Sequence, residues 1–128
     1  MVSQITSGVE VIVQTMYQEG YSVPEDHVYV FAYKILISNR NHFTVQLLRR
    51  KWTITNALGE VEVVEGDGVV GRQPVLYSGE SHEYVSGCNL ATSFGMMEGI
   101  YYFENKSTRQ IFSVKIPLFK LEAPFVLN

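Results

Sequence analysis

Hydrophobic residues near the start of the chain alternate with polar ones. Val9, Val11 and Val13 share one side of a segment whose intervening positions include Glu10 and Gln14. A period of two is typical of a β-strand, because successive side chains of a strand point to opposite faces of its sheet. The pattern therefore predicts a first strand with one buried face.

The segment 27–38 carries the strongest strand signal in the chain. One of its faces has large apolar side chains at every second position, namely Tyr29, Phe31, Tyr33, Ile35 and Ile37. The other face carries Val28, Val30, Ala32 and Leu36. A strand that is apolar on both faces is typical of the covered part of a sheet. We therefore expect 27–38 to form a central strand.

The next apolar run, 43–55, contains an interruption in its alternation. Leu47 and Leu48 are adjacent, so they cannot both face one side of a regular strand, whereas Trp52 and Ile54 share a face again. A β-bulge absorbs one extra residue in such a strand. We predict either a bulge here or an outward-pointing leucine.

Short apolar segments separated by turn residues fill the rest of the chain. Strands are expected at 61–64, 82–86, 100–104 and 110–116. We interpret Gly95 and Gly99 as the limits of a turn and Pro117 as the end of the last strand. Seven or more strands without a convincing helix favour an all-β, antiparallel β-sandwich, with an open barrel as the alternative.

The composition restricts the class of protein further. A length of 128 residues is typical of one domain, and the single cysteine, Cys88, excludes an intrachain disulfide. The chain opens with no signal-peptide pattern and has no apolar run of membrane-helix length, so we expect a cytoplasmic protein without a membrane partner. A net charge of −3 and a pI near 5.6 disfavour binding of nucleic acid.

A glycine-rich run stands out at 66–74: Gly66-Asp67-Gly68-Val69-Val70-Gly71-Arg72-Gln73-Pro74. Its G-x-G-x-x-G spacing matches the fingerprint of a dinucleotide site, which closes a turn between a strand and a helix. Here Pro74 follows at once and no helical pattern begins. The context therefore contradicts the dinucleotide interpretation.

Two interpretations of the run remain. It is an anion-binding loop if successive backbone N–H groups surround a phosphate, with Gly66, Gly68, Gly71, Arg72 and Gln73 as the candidate residues. It is architectural if the glycines permit a tight loop while Val69 and Val70 pack into the core. We favour the architectural interpretation, under which replacing Gly68 or Gly71 by alanine should destabilise the fold and Arg72→Ala should not.

Metal and catalytic chemistry have weak support in the sequence. His27, His42 and His82 are far apart, Cys88 is alone, and no paired ligand spacing such as H-x-H or C-x-x-C is present, so we expect neither a metal nor another cofactor. Ser86 precedes Cys88 by two residues, but neither has a sequence signature for an adjacent base or an oxyanion site. We predict that the protein is not an enzyme.

Several side chains are candidates for contact with a protein partner. They are Tyr17, Tyr21, Met96, Met97 and the basic triplet Arg49-Arg50-Lys51. Each has a structural alternative, because tyrosines cover cores, methionines fill irregular gaps and short charge runs lie in solvent. The apolar tail 119–128, which includes Phe125 and Leu127, is expected either to pack as a final strand or to pair with a second copy in a homodimer.

Five spaced blocks of residues extend nearly from end to end of the chain: Leu48-x-Arg50-x-Trp52-x-Ile54, Gly66-x-Gly68-Val69-Val70-Gly71-x-Gln73-Pro74, Gly79-Glu80-x-x-x-Tyr84-x-Ser86-Gly87, Gly95-x-Met97-x-Gly99-x-Tyr101 and Ile116-Pro117-x-Phe119-x-Leu121. In this order they resemble the ApaG family. The resemblance implies a single ApaG domain over 3–127 with an immunoglobulin-like or fibronectin-III-like sandwich. Arg72 and Tyr77 depart from the residues that many relatives carry at these positions.

The resemblance implies no proven reaction. Bacterial members take their name from a gene neighbourhood shared with a diadenosine tetraphosphate hydrolase and are linked to cobalt and magnesium resistance. Related domains in eukaryotic F-box proteins and in a polymerase-interacting protein are viewed as protein-interaction modules. We therefore expect a non-enzymatic module that binds an unknown protein partner or a ligand. The alternatives are a phosphate-containing or pyrophosphate ligand at the glycine run, and a role in cobalt or magnesium homeostasis.

Overall fold

A computed structural model describes residues 1–124 of the chain. Its strands are β1 (Val2–Thr6), β2 (Val9–Tyr17), β3 (Tyr29–Asn39), β4 (Val45–Asn56), β5 (Val61–Asp67), β6 (Val75–Leu76), β7 (Ser81–Leu90), β8 (Phe94–Asn105) and β9 (Ile111–Glu122). Two 3-10 turns, Glu19–Tyr21 and Pro24–Asp26, lie between β2 and β3. None of the helices in this part of the chain is long and apolar enough to cross a membrane.

The strands form two antiparallel sheets that pack face to face. One sheet has the order β1-β2-β3-β7, and the other has the order β5-β4-β8-β9 with β6 paired to β4. The alternating apolar positions of both sheets meet in a single core, in which Phe31, Ile35, Leu47, Tyr101 and Phe103 are among the most buried side chains. The predicted antiparallel sandwich is therefore confirmed, and so is the central position of β3.

The two sides of the sandwich, where the edges of the two sheets lie next to each other, differ in how well they cover the core. On one side, β1 and β2 pack against β9, and the N–H of Lys115 donates to Thr6 Oγ1 at 3.3 Å. On the other side, the edge strands β5 and β7 stand apart and leave a cleft between the sheets. One side of the core is thus closed, and the other is accessible from solvent.

A bulge in β4 sets which of its side chains face the core. Leu47 pairs with Phe103 and Arg49 pairs with Tyr102, so Leu48 is the extra residue that the bulge absorbs. After the bulge, Arg50, Trp52 and Ile54 occupy the inner face, and all three line the cleft. The predicted bulge is confirmed.

The last strand does not end at Pro117, as the sequence predicts. It continues to Glu122, because a second bulge lies where Met97 pairs with Phe119 and Gly99 pairs with Ile116. Proline has no backbone N–H, and a bulge is one of the places where a sheet tolerates it. The predicted final strand in the tail is therefore observed up to Glu122, whereas Phe125 and Leu127 lie outside the described residues.

The predicted turn between Gly95 and Gly99 is also wrong. Both glycines lie inside β8, where a Cβ atom at Gly95 would stand 2.6 Å from the carbonyl oxygen of Thr55. At Gly99 a Cβ would stand 2.5 Å from the carbonyl oxygen of Lys51. These glycines therefore allow β4 and β8 to approach closely, and the chain does not turn at them.

β1 was not predicted from the sequence, in which the first predicted strand corresponds to β2. Among the described residues, β1 forms the edge of its sheet and pairs with β2, with Val2 opposite Val13. Its three middle residues are exposed and only its two ends are half-buried. An edge strand with so little burial has no alternating apolar pattern to reveal it.

Candidate functional site

The glycine-rich run begins inside a strand and ends in a loop. Gly66 lies in β5, opposite Arg50, whereas Gly68 and Gly71 follow the strand with φ values of +61° and +75°. Such positive φ values suit glycine, which has no Cβ atom to crowd the backbone. Val69 is buried in the core as predicted, but Val70 is exposed, so only one of the two valines anchors the loop.

Three backbone N–H groups of this loop, those of Gly68, Val69 and Arg72, donate within the chain. Gly68 donates to the carbonyl of Leu48 at 2.8 Å, and Val69 donates to the carbonyl of Arg72 at 2.7 Å. Arg72 donates back to the carbonyl of Val69 at 3.1 Å, and the side-chain Nε2 of Gln73 donates to the carbonyl of Leu48 at 3.0 Å. A phosphate would need free donors at these positions. The contacts therefore favour the architectural interpretation, and the anion-binding loop stays a prediction.

The glycine run also holds the side chain of Arg50. Nη1 of Arg50 donates to the carbonyl oxygens of Asp67 at 2.9 Å and Gly68 at 3.0 Å. The guanidinium crosses Gly66 so closely that a Cβ atom there would stand 2.8 Å from Nη1. The run thus fixes an arginine on the inner face of the second sheet.

The cleft between β5 and β7 is a concave site with a volume of about 540 Å³. One wall carries Arg50, Trp52 and Val64, and the opposite wall carries Ser86 and Cys88. Volumes of this size are typical of sites for small molecules. The cleft is therefore a candidate binding site that combines one cation with aromatic and apolar surface.

The hydroxyl groups of three tyrosines lie close together beside Arg50. Burial raises the pKa of Tyr33, whereas a side-chain hydrogen bond with Ser86 and the charge of Arg50 oppose this rise. Burial also raises the pKa of Tyr84 and of fully buried Tyr101, whose hydroxyl groups share a hydrogen bond. The three hydroxyl groups are therefore protonated and neutral at physiological pH.

The candidate nucleophiles do not form a catalytic arrangement. Burial, followed by the nearby charge of Glu62, raises the pKa of Cys88 to about 11, so the unreactive thiol form predominates at neutral pH. Ser86 forms its side-chain hydrogen bond with Tyr33, and the ring of His82 stacks on Tyr84 at 6.2 Å between centroids. No geometry in the cleft supports a nucleophile activated by a base.

The histidines and carboxylates of the described residues form no metal site. No group of three or more His, Cys, Asp or Glu side chains within residues 1–124 is arranged to hold an ion. His27 lies at the end of a 3-10 turn and His82 lies on β7.

His82 and Arg72 lie close enough to interact through their charges. Burial lowers the pKa of His82 below its ordinary value of 6.5, and Arg72 lowers it further. The folded state disfavours the charged ring of His82. The contribution of His82 to the free energy of unfolding is therefore fully present above pH 6.5 and decreases as the pH falls towards the lowered pKa.

We expect Arg72→Ala to raise the pKa of His82 part of the way back, because burial is the larger cause and stays in place. An NMR titration of the His82 ring measures this pKa directly. Arg49→Ala, which removes a charge from the opposite face of the second sheet, is the control and should leave the His82 titration unchanged. An unchanged titration in Arg72→Ala would contradict the proximity of the two side chains.

The candidate partner residues do not lie on one surface. Met96 is 41% exposed on the outer face of β8, whereas Met97 is 1% exposed and belongs to the core. Successive residues of a strand point to opposite faces, so the adjacent methionines cannot share a surface. The assignment of Met97 to a partner surface is therefore corrected.

The candidate tyrosines and the residues of the basic triplet also lie on different parts of the molecule. Tyr17 packs edge-to-face on Phe31, with 5.3 Å between ring centroids, whereas Tyr21 is 76% exposed in the loop after β2. In the triplet, Arg50 faces the cleft, whereas Arg49 lies over the ring of Tyr102 on the outer face and Lys51 pairs with Glu65. The candidates thus separate into core, cleft and outer surface.

The outer face of the second sheet carries exposed apolar side chains from three strands. We call this group the outer strip, and it consists of Val61, Val63, Phe94, Met96 and Leu118. Thr55 lies between Val61 and Met96 in the pairing of β5, β4 and β8, and Thr53 is opposite Val63. Glu98 is opposite Thr53 and separates Leu118 from the rest of the strip, whereas Lys51 and Lys120 lie at its margins.

The fold and these sites define the class of protein as a fibronectin-like β-sandwich. The ApaG domain family model matches residues 19–105, and the chain belongs to this family. It is 47% identical over 97% of its length to Protein ApaG of Brucella abortus, covering 95% of that protein, and 46% identical, with the same coverage, to Protein ApaG of Paramagnetospirillum magneticum. A crystal structure of the putative ApaA protein from Bordetella pertussis superimposes with a TM-score of 0.88 at 40% identity, over 91% of this chain and 94% of that one.

Proposed function

We propose that this ApaG-family chain is a non-catalytic binding module that docks a protein partner on its outer strip. The observation that carries the proposal is the set of exposed apolar side chains on an uncovered sheet face, of which Val61 and Val63 are 61% and 54% exposed. Single exposed apolar residues are normal on a protein surface, but a group that spans several strands is typical of an interaction site.

The margin of the strip agrees with a protein partner. Glu65 pairs with Lys51 at 3.7 Å and with Arg49 at 3.8 Å, so charges of both signs flank the strip beyond Val63. Protein interfaces commonly combine an apolar centre with a polar margin. β5 is also the terminal strand of its sheet, and an extended segment of a partner can pair with such an edge through backbone hydrogen bonds.

The double variant Val63→Asp, Met96→Asp tests this surface. Two carboxylates in the centre of the strip should oppose docking, and partner capture is expected to fall by roughly tenfold or more. The measurement is quantitative mass spectrometry of proteins retained from a cell lysate by immobilised wild type and variant. The strip is exposed, so the stability of the double variant should stay within about 1 kcal/mol of wild type.

Val85→Asp is the matched control for this experiment. Val85 is 53% exposed on β7 in the other sheet, so the variant replaces an exposed valine by a carboxylate away from the strip. The control should retain the same proteins as wild type. If the double variant retained them equally well, the outer strip would not be the docking surface. Sedimentation of the wild type separately tests the homodimer, in which the partner is a second copy.

A further inference from the structure

The cleft contains a cation that no carboxylate neutralises. Arg40, Arg49 and Arg109 each lie within 4.0 Å of a glutamate, whereas Arg50 has no such partner in the part of the chain described. Its side chain is half-buried, and its Nη1 is held by two carbonyl oxygens. A half-buried cation gains from an anion that reaches it, and a guanidinium keeps further donors for a carboxylate.

The surroundings of Arg50 match one end of an amphipathic ligand. The neutral hydroxyl group of Tyr33 lies in the same cleft, as does the side chain of Ser86, and both can form hydrogen bonds with a ligand. Trp52 and Val64 continue the wall next to Arg50 along β4 and β5. An anionic group at Arg50 would therefore place an attached apolar body against aromatic and aliphatic surface.

The number of cations in the cleft restricts the charge of the ligand, since Arg50 is the one cationic side chain among the described residues that line it. Glu62 pairs with Ile54, four residues along β4 from Arg50, which corresponds to roughly 13 Å in a strand. Glu62 is exposed, so solvent and salt largely screen its charge from a group at Arg50, and the single cation sets the preference because one arginine cannot neutralise several negative charges. The cleft is thus better suited to a single negative charge than to a pyrophosphate or a dinucleotide.

We propose that the cleft between β5 and β7 binds a small organic monocarboxylate with an apolar or aromatic body, whose carboxylate contacts Arg50. This site lies on the inner face of the second sheet, whereas the outer strip lies on the opposite face. A small ligand and a protein partner therefore occupy separate surfaces. Failure of one proposal leaves the other intact.

The test uses 3-phenylpropionate as the probe and its neutral amide, 3-phenylpropionamide, as the matched control ligand. Titration of the isotope-labelled chain is followed by amide shifts in NMR spectra. A Kd on the order of 1 mM is expected for the carboxylate, with shifts at Arg50, Val64 and Ser86. The amide, which has the same body without the charge, should bind at least about tenfold more weakly.

Two adjacent arginines provide the matched protein variants. Arg50→Met removes the cleft cation and should raise the Kd of 3-phenylpropionate roughly tenfold or more, whereas Arg49→Met changes the outer face and should leave it within about twofold. If Arg50→Met does not fold, Val64→Trp fills the cleft without removing the arginine and should abolish binding. Glu62→Gln should leave the Kd within about twofold, since this exposed carboxylate lies beyond the screening length from Arg50.

The outcomes separate the proposal from its alternatives. Cleft shifts with the carboxylate that are lost in Arg50→Met or Val64→Trp support it. Equal affinity for the amide, undiminished binding in Arg50→Met, or an absence of shifts at about 20 mM carboxylate would overturn it. Inorganic pyrophosphate is titrated in parallel, and shifts confined to the loop from Gly68 to Arg72 with this probe alone would also overturn it in favour of the glycine loop.

Discussion

Replacing Gly68 by alanine should lower the free energy of unfolding by about 3 kcal/mol or more. Gly68 has a φ of +61°, and a Cβ atom there would stand 2.1 Å from the carbonyl oxygen of Arg72. That oxygen belongs to the backbone and accepts the N–H of Val69, so it cannot move without breaking the loop. Urea unfolding monitored by circular dichroism measures the loss as a lower midpoint at unchanged slope.

Gly71→Ala is the matched control for this variant. Gly71 has a similar φ of +75°, but nothing lies within 4 Å of the position that its Cβ would occupy. Alanine there should cost only the backbone strain, about 1 kcal/mol. The difference between the two variants isolates the contact with Arg72. Equal losses in the two variants would show that this contact carries no energy.

Asn39→Ala should destabilise the chain by about 3 kcal/mol, because it removes three hydrogen bonds in a buried site. Asn39 is 0% exposed, and its Nδ2 donates to the carbonyls of Phe43 at 2.8 Å and Leu76 at 3.0 Å. Its Oδ1 accepts the N–H of Asn41 at 3.0 Å. The side chain thus joins the end of β3 to β6 and to the turn before β4.

Asn41→Ala serves as the control because it loses an exposed hydrogen bond. Nδ2 of Asn41 donates to the carbonyl of Ser7 at 3.0 Å near solvent, so its loss should cost about 1 kcal/mol or less. Asn39→Asp keeps the shape but turns an acceptor towards two carbonyls, and it should be at least as damaging as Asn39→Ala. Thermal unfolding compares all three variants. If Asn39→Asp were as stable as wild type, the hydrogen bonds of Nδ2 would not explain the effect.

Much of the fold could be predicted because the alternation of apolar and polar residues along a strand reflects which of its side chains are buried. In β3 the inner positions Phe31 and Ile35 are buried, as their period of two indicates. The predictions of strands fail where a strand is barely buried or contains a bulge. β1 is barely buried, and the bulge at Pro117 lets a residue that normally ends a strand remain inside one.

Much less of the candidate site could be predicted. In the sequence Arg50 belongs to a basic triplet, although its spacing of two and four residues from Trp52 and Ile54 puts it on the same face as these side chains. That spacing was the available signal for an inward-facing charge. The opposite wall of the cleft comes from β7, more than thirty positions away in the numbering, and only tertiary pairing brings Ser86 to Arg50. The local pattern of apolar and polar residues does not show which distant strands lie next to each other in the fold.

The bulge in β4 links the shape of one strand to the glycine run at 66–74. The carbonyl of Leu48, the extra residue, accepts hydrogen bonds from the N–H of Gly68 and the side chain of Gln73. A chain without Leu48 would keep Arg50 on the same face, since the count of residues after Leu47 would become regular. It would nevertheless lose the acceptor that seats the loop. The bulge and the glycine loop of this chain therefore depend on each other, and a change that regularises β4 also removes the support of the loop.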